Sequence, residues 1–175
     1  CDVRQEPTEL LLHCKRLLES LRGVGVPIQG IRVNAPYQVS VRFQPGVTTE
    51  LMWFVIVDAL RQAGLGNTPV VRSKHSVDIL TPGTNKANLI SKLTKIANLD
   101  PYDIITFGDA GAWPGNDYSL LEHKYSLSVD QPSRRLDRGW KLTPDHIRNV
   151  DALLWYLEAS ETAERSIRFH LGGRS

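Results

Sequence analysis

Two aspartates eight residues apart, Asp109 and Asp117, sit in a stretch that begins as an apolar strand and ends in a helix: I-I-T-F-G-D-A-G-A-W-P-G-N-D-Y-S-L-L, residues 104–121. Ile104, Ile105 and Phe107 form a short apolar run bounded by turn formers, which suits a buried parallel strand. Gly108 and Asp109 then fall at its carboxyl end, the edge of an open α/β sheet where ligands bind. After the Pro114-Gly115 turn, Asn116 is expected to cap a helix with Asp117 in its first turn, leaving free N–H groups aimed at the same crevice. Two carboxylates from one loop, with no histidine or cysteine between them, suit a hard cation such as Mg2+ better than zinc. A phosphate can bridge such a metal and the helix terminus. The same residues fit a second account, because an acidic residue beside a helix N-terminus stabilises the helix dipole by roughly 0.3–1 kcal/mol without any ligand.

The rest of the composition narrows the classes of function. Twenty-one basic and nineteen acidic residues in 175 leave a formal charge of +2, too slight and scattered for an electrostatic footprint on nucleic acid. Arg134, Arg135 and Arg138, the densest basic cluster, read as a solvated loop. The longest apolar run, residues 51–60, is interrupted by Asp58 and has helix-core length rather than membrane-span length. With no basic and apolar signal segment either, the expectation is a cytoplasmic protein that binds neither nucleic acid nor membrane. Cys1 and Cys14 have neither metal-ligand nor redox spacing, and Cys14 reads as a small core residue. A first residue that is cysteine rather than Met marks an excerpt or a processed form; a mature lipoprotein also starts with cysteine.

The elements that must position the aspartates follow from periodicity. Thr8 is expected to cap a helix through Leu10, Leu11, Cys14, Leu17, Leu18 and Leu21, one apolar stripe ended by Gly23 and Gly25. Residues 28–34 and 37–43 read as strands about Ala35-Pro36, the second alternating Val39, Val41 and Phe43 with Gln38, Ser40 and Arg42, as in a sheet with one wet face. Thr48 or Thr49 caps a second helix over 50–63, and 70–72 and 76–80 are again strands, with Ser73, Lys74 and His75 near their turn. Helix-strand-strand, twice over, predicts an α+β layer with both helices on one face of a sheet. Pro82-Gly83 marks a change of domain. A helix over 85–98, with Leu89, Ile90, Leu93 and Ile96 on its buried side, leads to the strand at Ile104. A further strand spans 125–129, a polar loop 131–142, and a last helix starts at Thr143-Pro144 and runs through Ile147, Val150, Leu153, Leu154 and Leu157. The tail, 161–175, has little apolar periodicity and is expected to fray.

The strand followed by G-D, a glycine-containing loop and N-D-x-x-L-L resembles the fourth motif of the haloacid dehalogenase (HAD) superfamily of phosphohydrolases. The A-G-A-W-P-G loop is longer than in many members. The resemblance implies that Asp109 and Asp117 hold Mg2+, with Asn116 close to the phosphate. It also implies an α/β fold in two parts. Residues 1–81 would be an α+β cap of two helix-strand-strand units, and residues 82–175 the C-terminal half of a Rossmann-like parallel sheet core. The family's third motif, a lysine near the start of the helix after the cap, is matched in position by Lys86 in T-P-G-T-N-K-A-N-L-I. A cation there offsets charge on a phosphoryl group. Arg72 and His75, near a hairpin that could overhang the crevice, fit substrate contacts or polar turn residues equally well, and Asp78 in S-V-D-I-L-T-P reads as structural.

One part of the family's equipment is missing. No D-x-D occurs in the sequence, and aspartyl-phosphate chemistry cannot proceed without an attacking carboxylate. The resemblance therefore implies a Mg2+-dependent phosphatase of a small phosphorylated metabolite, such as a sugar phosphate, whose nucleophile lies outside this chain, with the N-terminal core half expected upstream of Cys1. On that reading the chain alone is inactive. The alternative is a stand-alone module that binds a phosphorylated ligand or a partner without turnover.

Overall fold

The computed structural model describes Glu6 and residues 8–163 and 166–171; Cys1, which bears on the question of processing, lies outside the described residues. The chain divides into two units, Cys1–Asn85 with Pro114–Asn116, and Lys86–Trp113 with Asp117–Ser175. Among the described residues no helix is long and apolar enough to cross a membrane.

The first unit follows its periodicity closely. Thr8 Oγ1 accepts the Leu11 N–H at 3.3 Å and opens α1 (Glu9–Gly23). Strands β1 (Ile28–Asn34) and β2 (Gln38–Phe43) follow. Helix α2 (Thr49–Gln62) is capped by Thr48, and β3 (Val70–Arg72) and β4 (Val77–Leu80) complete the unit. The four strands form one antiparallel sheet in the order β1-β2-β4-β3. Leu11, Cys14 and Leu18 of α1 and Met52, Ile56 and Leu60 of α2 share a core with Val39, Val41, Val77 and Ile79. Both helices thus lie on one face, and each large apolar side chain buried there contributes about 1.5–3 kcal/mol. Burial pushes the Cys14 thiol up, which keeps it protonated and inert. Strand alternation turns Arg32, Ser40 and Asp78 to the opposite face, where Arg32 is paired with Ser40 and Ser40 with Asp78. Residues 114–116 join this unit at the β3 edge: the Arg72 N–H donates to Pro114 O (2.8 Å), the Asn116 N–H donates to Arg72 O (2.9 Å), and Arg72 bridges Gly115 in parallel.

The second unit holds α3 (Ala87–Ala97), a 3-10 turn (Pro101–Asp103), β5 (Thr106–Ala110), α4 (Tyr118–Leu121), β6 (Ser126–Gln131), α5 (Val150–Ala159) and a hairpin of β7 (Ser160–Ala163) and β8 (Ser166–Phe169). Strands β5 and β6 are parallel, as the apolar run at 104–107 indicated. With the antiparallel sheet of the first unit this makes the α/β class expected. The core of the second unit is Leu127, Val129, Ala152 and Tyr156, with Phe107, Ile147 and Trp155 packed against it. The buried Tyr156 hydroxyl donates to Ser128 O at 3.0 Å and accepts the Leu142 N–H at 2.7 Å, so its polar tip is satisfied.

Four expectations are corrected here. Strand β5 starts at Thr106, not Ile104. Asp100 and Asp103 make a capping box around the 3-10 turn, and Ile104 N–H still bonds back to Pro101 O, so the chain is not free to pair until Thr106. Helix α3 buries none of its residues: Leu89 is 53% exposed and Ile96 83%, because the two strands of this unit's parallel sheet offer too little surface to cover its apolar stripe. The last helix begins at Val150, not at Thr143-Pro144. Thr143 Oγ1 donates to Ile147 O, occupying a carbonyl that a helix would need, and Asn149 sits at φ 57°. In the tail, Ser160–Ala163 and Ser166–Phe169 pair as β7 and β8 instead of fraying, with Phe169 edge-on to Tyr156 at 6.0 Å between ring centroids, while residues 164–165 and 172–175 lie outside the described residues.

Candidate metal and phosphate site

Gly108 and Asp109 fall within the last residues of β5, at the carboxyl end of the parallel pair. The chain then loops and returns at Asp117, which takes the N-cap position of the four-residue α4 without a side-chain capping bond. Asn116 is therefore not the cap, contrary to the reading of the sequence. Its side-chain oxygen accepts no N–H of the helix, its backbone N–H donates to Arg72 O, and a helix of one turn builds little macrodipole. Asp117 forgoes capping because its carboxylate is used elsewhere. Oδ2 accepts the Asp109 N–H at 2.8 Å, and Oδ1 forms an ion pair with Lys86 Nζ.

Asp117 is only 5% exposed. Burial pushes its carboxyl up, but hydrogen bonds from Lys86 and from the Asp109 backbone, the Lys86 charge and a hydrogen bond with the Asp109 side chain outweigh this and hold it below the usual carboxylate range. Lys86 reaches it from the N-cap position of α3, where it makes no side-chain capping bond of its own. The second unit thus brings three candidates together: Lys86, Asp109 and Asp117.

Two carboxyl-bearing residues joined through the Asp109 N–H, with Asp117 buried, offer an all-oxygen donor set of the kind a hard cation occupies. Among the described residues no group of three or more His, Cys, Asp or Glu gathers around a metal position. Two carboxylates still fit Mg2+, which retains several waters and is commonly held through one or two carboxylates. The closeness of the two aspartates depends on Gly108, which the sequence places at the carboxyl end of the strand. A Cβ on Gly108 would lie 2.8 Å from Asp117 Cβ and 2.9 Å from Asp117 Oδ2, so only glycine lets the carboxylate sit against the strand. Gly111 is similarly constrained, with Leu121 Cδ1 and Ser133 N each 2.7 Å from the position a Cβ would take. The Gly-Asp pair itself was the available signal for Gly108; Gly111 has none beyond its place in a turn.

The other candidates belong to the first unit. Arg72 shares the helix-bearing face of the sheet with Val70 by alternation, and its guanidinium Nη2 lies 3.7 Å from Glu50 Oε1 while its Nε is buried without a partner. His75 is exposed in the β3–β4 turn, with its backbone N–H donated to Ser73 Oγ at 3.1 Å. Asn116 has a buried side-chain oxygen with no partner.

Residues 56–138 match the family model described as haloacid dehalogenase-like hydrolase, so the chain resembles the HAD hydrolases over the end of the first unit and the whole Lys86–Asp109–Asp117 cluster. Among solved structures, an N-terminally truncated, IMP-bound IMP-nucleotidase of Plasmodium falciparum is similar at 16% identity and a TM-score of 0.51, over 70% of this chain and 33% of that one. The same truncated nucleotidase described without IMP gives 17% identity and a TM-score of 0.50, over 70% and 34%. A sucrose-phosphatase of Synechocystis, in complex with sucrose and phosphate, is 18% identical with a TM-score of 0.48, over 86% of this chain and 55% of that one. The nucleotidases at these identities speak to fold alone, and this chain spans about a third of their length. No curated protein matches the sequence.

Proposed function

We propose that this chain is the cap and metal-bearing half of a Mg2+-dependent phosphatase acting on a small phosphorylated metabolite such as a sugar phosphate. The observation that carries the reading is the cluster at the carboxyl end of β5, where buried Asp117 is joined to both Lys86 and Asp109. Asp109 and Asp117 would hold the cation, which when bound offsets the charge of a phosphoryl group. Lys86 supplies a second positive charge to the phosphoryl oxygens, exchanging its pairing with Asp117 for one with substrate. Asn116 lies next to Asp117 in sequence and is assigned to the phosphate side. Arg72 and His75 are assigned to substrate contacts, Arg72 through the Nε that has no partner. Residues 1–81 act as the cap and 82–175 as part of the core, in a cytoplasmic enzyme.

The attacking carboxylate comes from outside these 175 residues, since no D-x-D lies within them, and the chain alone is inactive. The same absence favours a second reading, a module that binds a phosphorylated ligand without turnover. Phosphate release by the natural gene product that carries this sequence separates the two. Phosphomonoesters should be hydrolysed with Mg2+ and not with EDTA, and Asp109→Asn should lower kcat about a hundredfold or more. Turnover unchanged by EDTA or by the substitution refutes the metal assignment. Tight binding of the ester with no turnover selects the module.

A further inference from the structure

The segment between β6 and α5, all of it in the second unit, carries side chains that the proposed chemistry does not use. It folds back along β6: the Ser128 N–H donates to Trp140 O at 2.7 Å, and Leu127 bridges Trp140 in parallel. Gly139 makes that return possible, since it sits at φ 63° and a Cβ there would lie 2.6 Å from Ser133 Cβ. The next residue is thereby fixed. The Trp140 indole N–H donates to Leu136 O at 2.9 Å, so the ring is pinned while the residue stays 46% exposed.

Trp140 lines an open groove of about 600 Å3 at the carboxyl end of β6, together with Asp130, Lys141, Leu142, Asp145 and Arg148. That volume suits a small molecule, and the carboxyl ends of parallel strands are where such sheets take ligands. Two cations of the groove are held by backbone oxygens. Lys141 Nζ donates to Thr143 O at 3.1 Å and to Pro144 O at 2.9 Å, and no carboxylate pairs with it among the described residues. Arg148 Nε donates to Asp145 O at 3.0 Å, and its Nη1 reaches buried Asp130 at 3.3 Å. Asp130 thus balances Arg148, and no fixed acid balances Lys141. The exposed Asp145 carboxylate is held by no hydrogen bond or ion pair among the described residues and is free to turn to water. A pinned ring beside a pinned, unpaired cation suits a flat ring that carries negative charge, because neither group must be ordered on binding.

We propose that this groove binds an aromatic anion of the nucleoside monophosphate type, with the base on Trp140 and the phosphate on Lys141 and Arg148, at a site separate from the Asp109–Asp117 cluster. Binding there needs neither Mg2+ nor the phosphatase reading, so the two are tested apart.

Calorimetric titration of the full chain in EDTA tests it, with AMP, adenosine, ribose 5-phosphate and inorganic phosphate as probes. AMP should bind about tenfold or more tightly than each of the others, because it alone joins an aromatic ring to the charge. Trp140→Leu should remove the advantage over ribose 5-phosphate, and Trp140→Phe should keep most of it. Lys141→Gln should weaken AMP severalfold and leave adenosine unchanged, with the circular dichroism spectrum retained. Asp109→Asn should bind AMP as the wild type does. AMP bound no more tightly than ribose 5-phosphate, or an advantage that survives Trp140→Leu, overturns the site. AMP binding that appears only with Mg2+, or is lost in Asp109→Asn, belongs to the metal cluster; it overturns the separate site and supports the phosphatase reading. If Trp140→Leu does not fold, Lys141→Gln decides, and unchanged AMP affinity there overturns the proposal.

Discussion

Asp117 keeps its charge at 5% exposure because Lys86 and the Asp109 N–H face it from two sides. Removing the cation leaves a buried carboxylate with one backbone donor and the neighbouring Asp109 side chain. Lys86→Met should therefore destabilise the chain by about 1–3 kcal/mol, less than a fully buried pair would cost because Lys86 is half exposed to water. Urea unfolding monitored by tryptophan fluorescence would measure it. The sign of the pH dependence follows from the same contacts. The folded carboxyl lies below its unfolded value, so the stabilisation is fully present above about pH 4, the ordinary aspartate range, and is lost as the pH falls through the folded value. Wild-type unfolding free energy should drop on acidification below that point more steeply than that of Lys86→Met. Gly108→Ala acts by geometry: its Cβ collides with Asp117 Cβ rather than with a flexible tip. Mg2+ affinity should fall about tenfold or more with the helical content preserved, readable by calorimetry beside circular dichroism.

Helices α1 and α3 carry similar apolar stripes and meet different fates. Leu18 of α1 is 1% exposed beneath the four-stranded sheet, whereas Leu93 of α3 is 41% exposed. Leu18→Ala should cost about 2–5 kcal/mol and Leu93→Ala less than about 1 kcal/mol, a contrast that thermal unfolding of the two variants reads directly. Periodicity announced both helices because the three- and four-residue spacing is local information. It could not say whether a layer of strands exists to receive the stripe. The same limit explains the other departures. Thr8 and Thr48 were legible as caps because capping is settled within three residues, and the β1–β2 and β3–β4 pairs because alternation and turn residues sit side by side in sequence. Asn116 looked like a cap by type, yet its side-chain oxygen accepts no N–H of the helix, and its backbone instead pairs with Arg72, forty-four positions earlier. The start of α5 was misread because Thr143 turns its hydroxyl to Ile147 O, a competition that a Thr-Pro pair does not reveal. The metal candidates were visible as types at a spacing, but the contact between Asp109 and Asp117 depends on the missing side chain of Gly108.

Taken whole, the chain combines a doubled helix-strand-strand unit with a second unit in which β5, α3 and α4 bring two carboxylates and a lysine together. It covers about a third of the nucleotidase structures to which it is similar, and it contains the candidate metal residues without an attacking D-x-D. The metal assignment requires that Asp109 and Asp117 bind a hard divalent cation, wherever the nucleophile lies. The direct measurement is a calorimetric titration of Mg2+ into the full chain, its Asp109→Asn variant and its Asp117→Asn variant at pH 7. One saturable site in the wild type, weakened about tenfold or more in each variant, is the result expected. Equal heats in all three, or no saturable binding to the wild type, would contradict it.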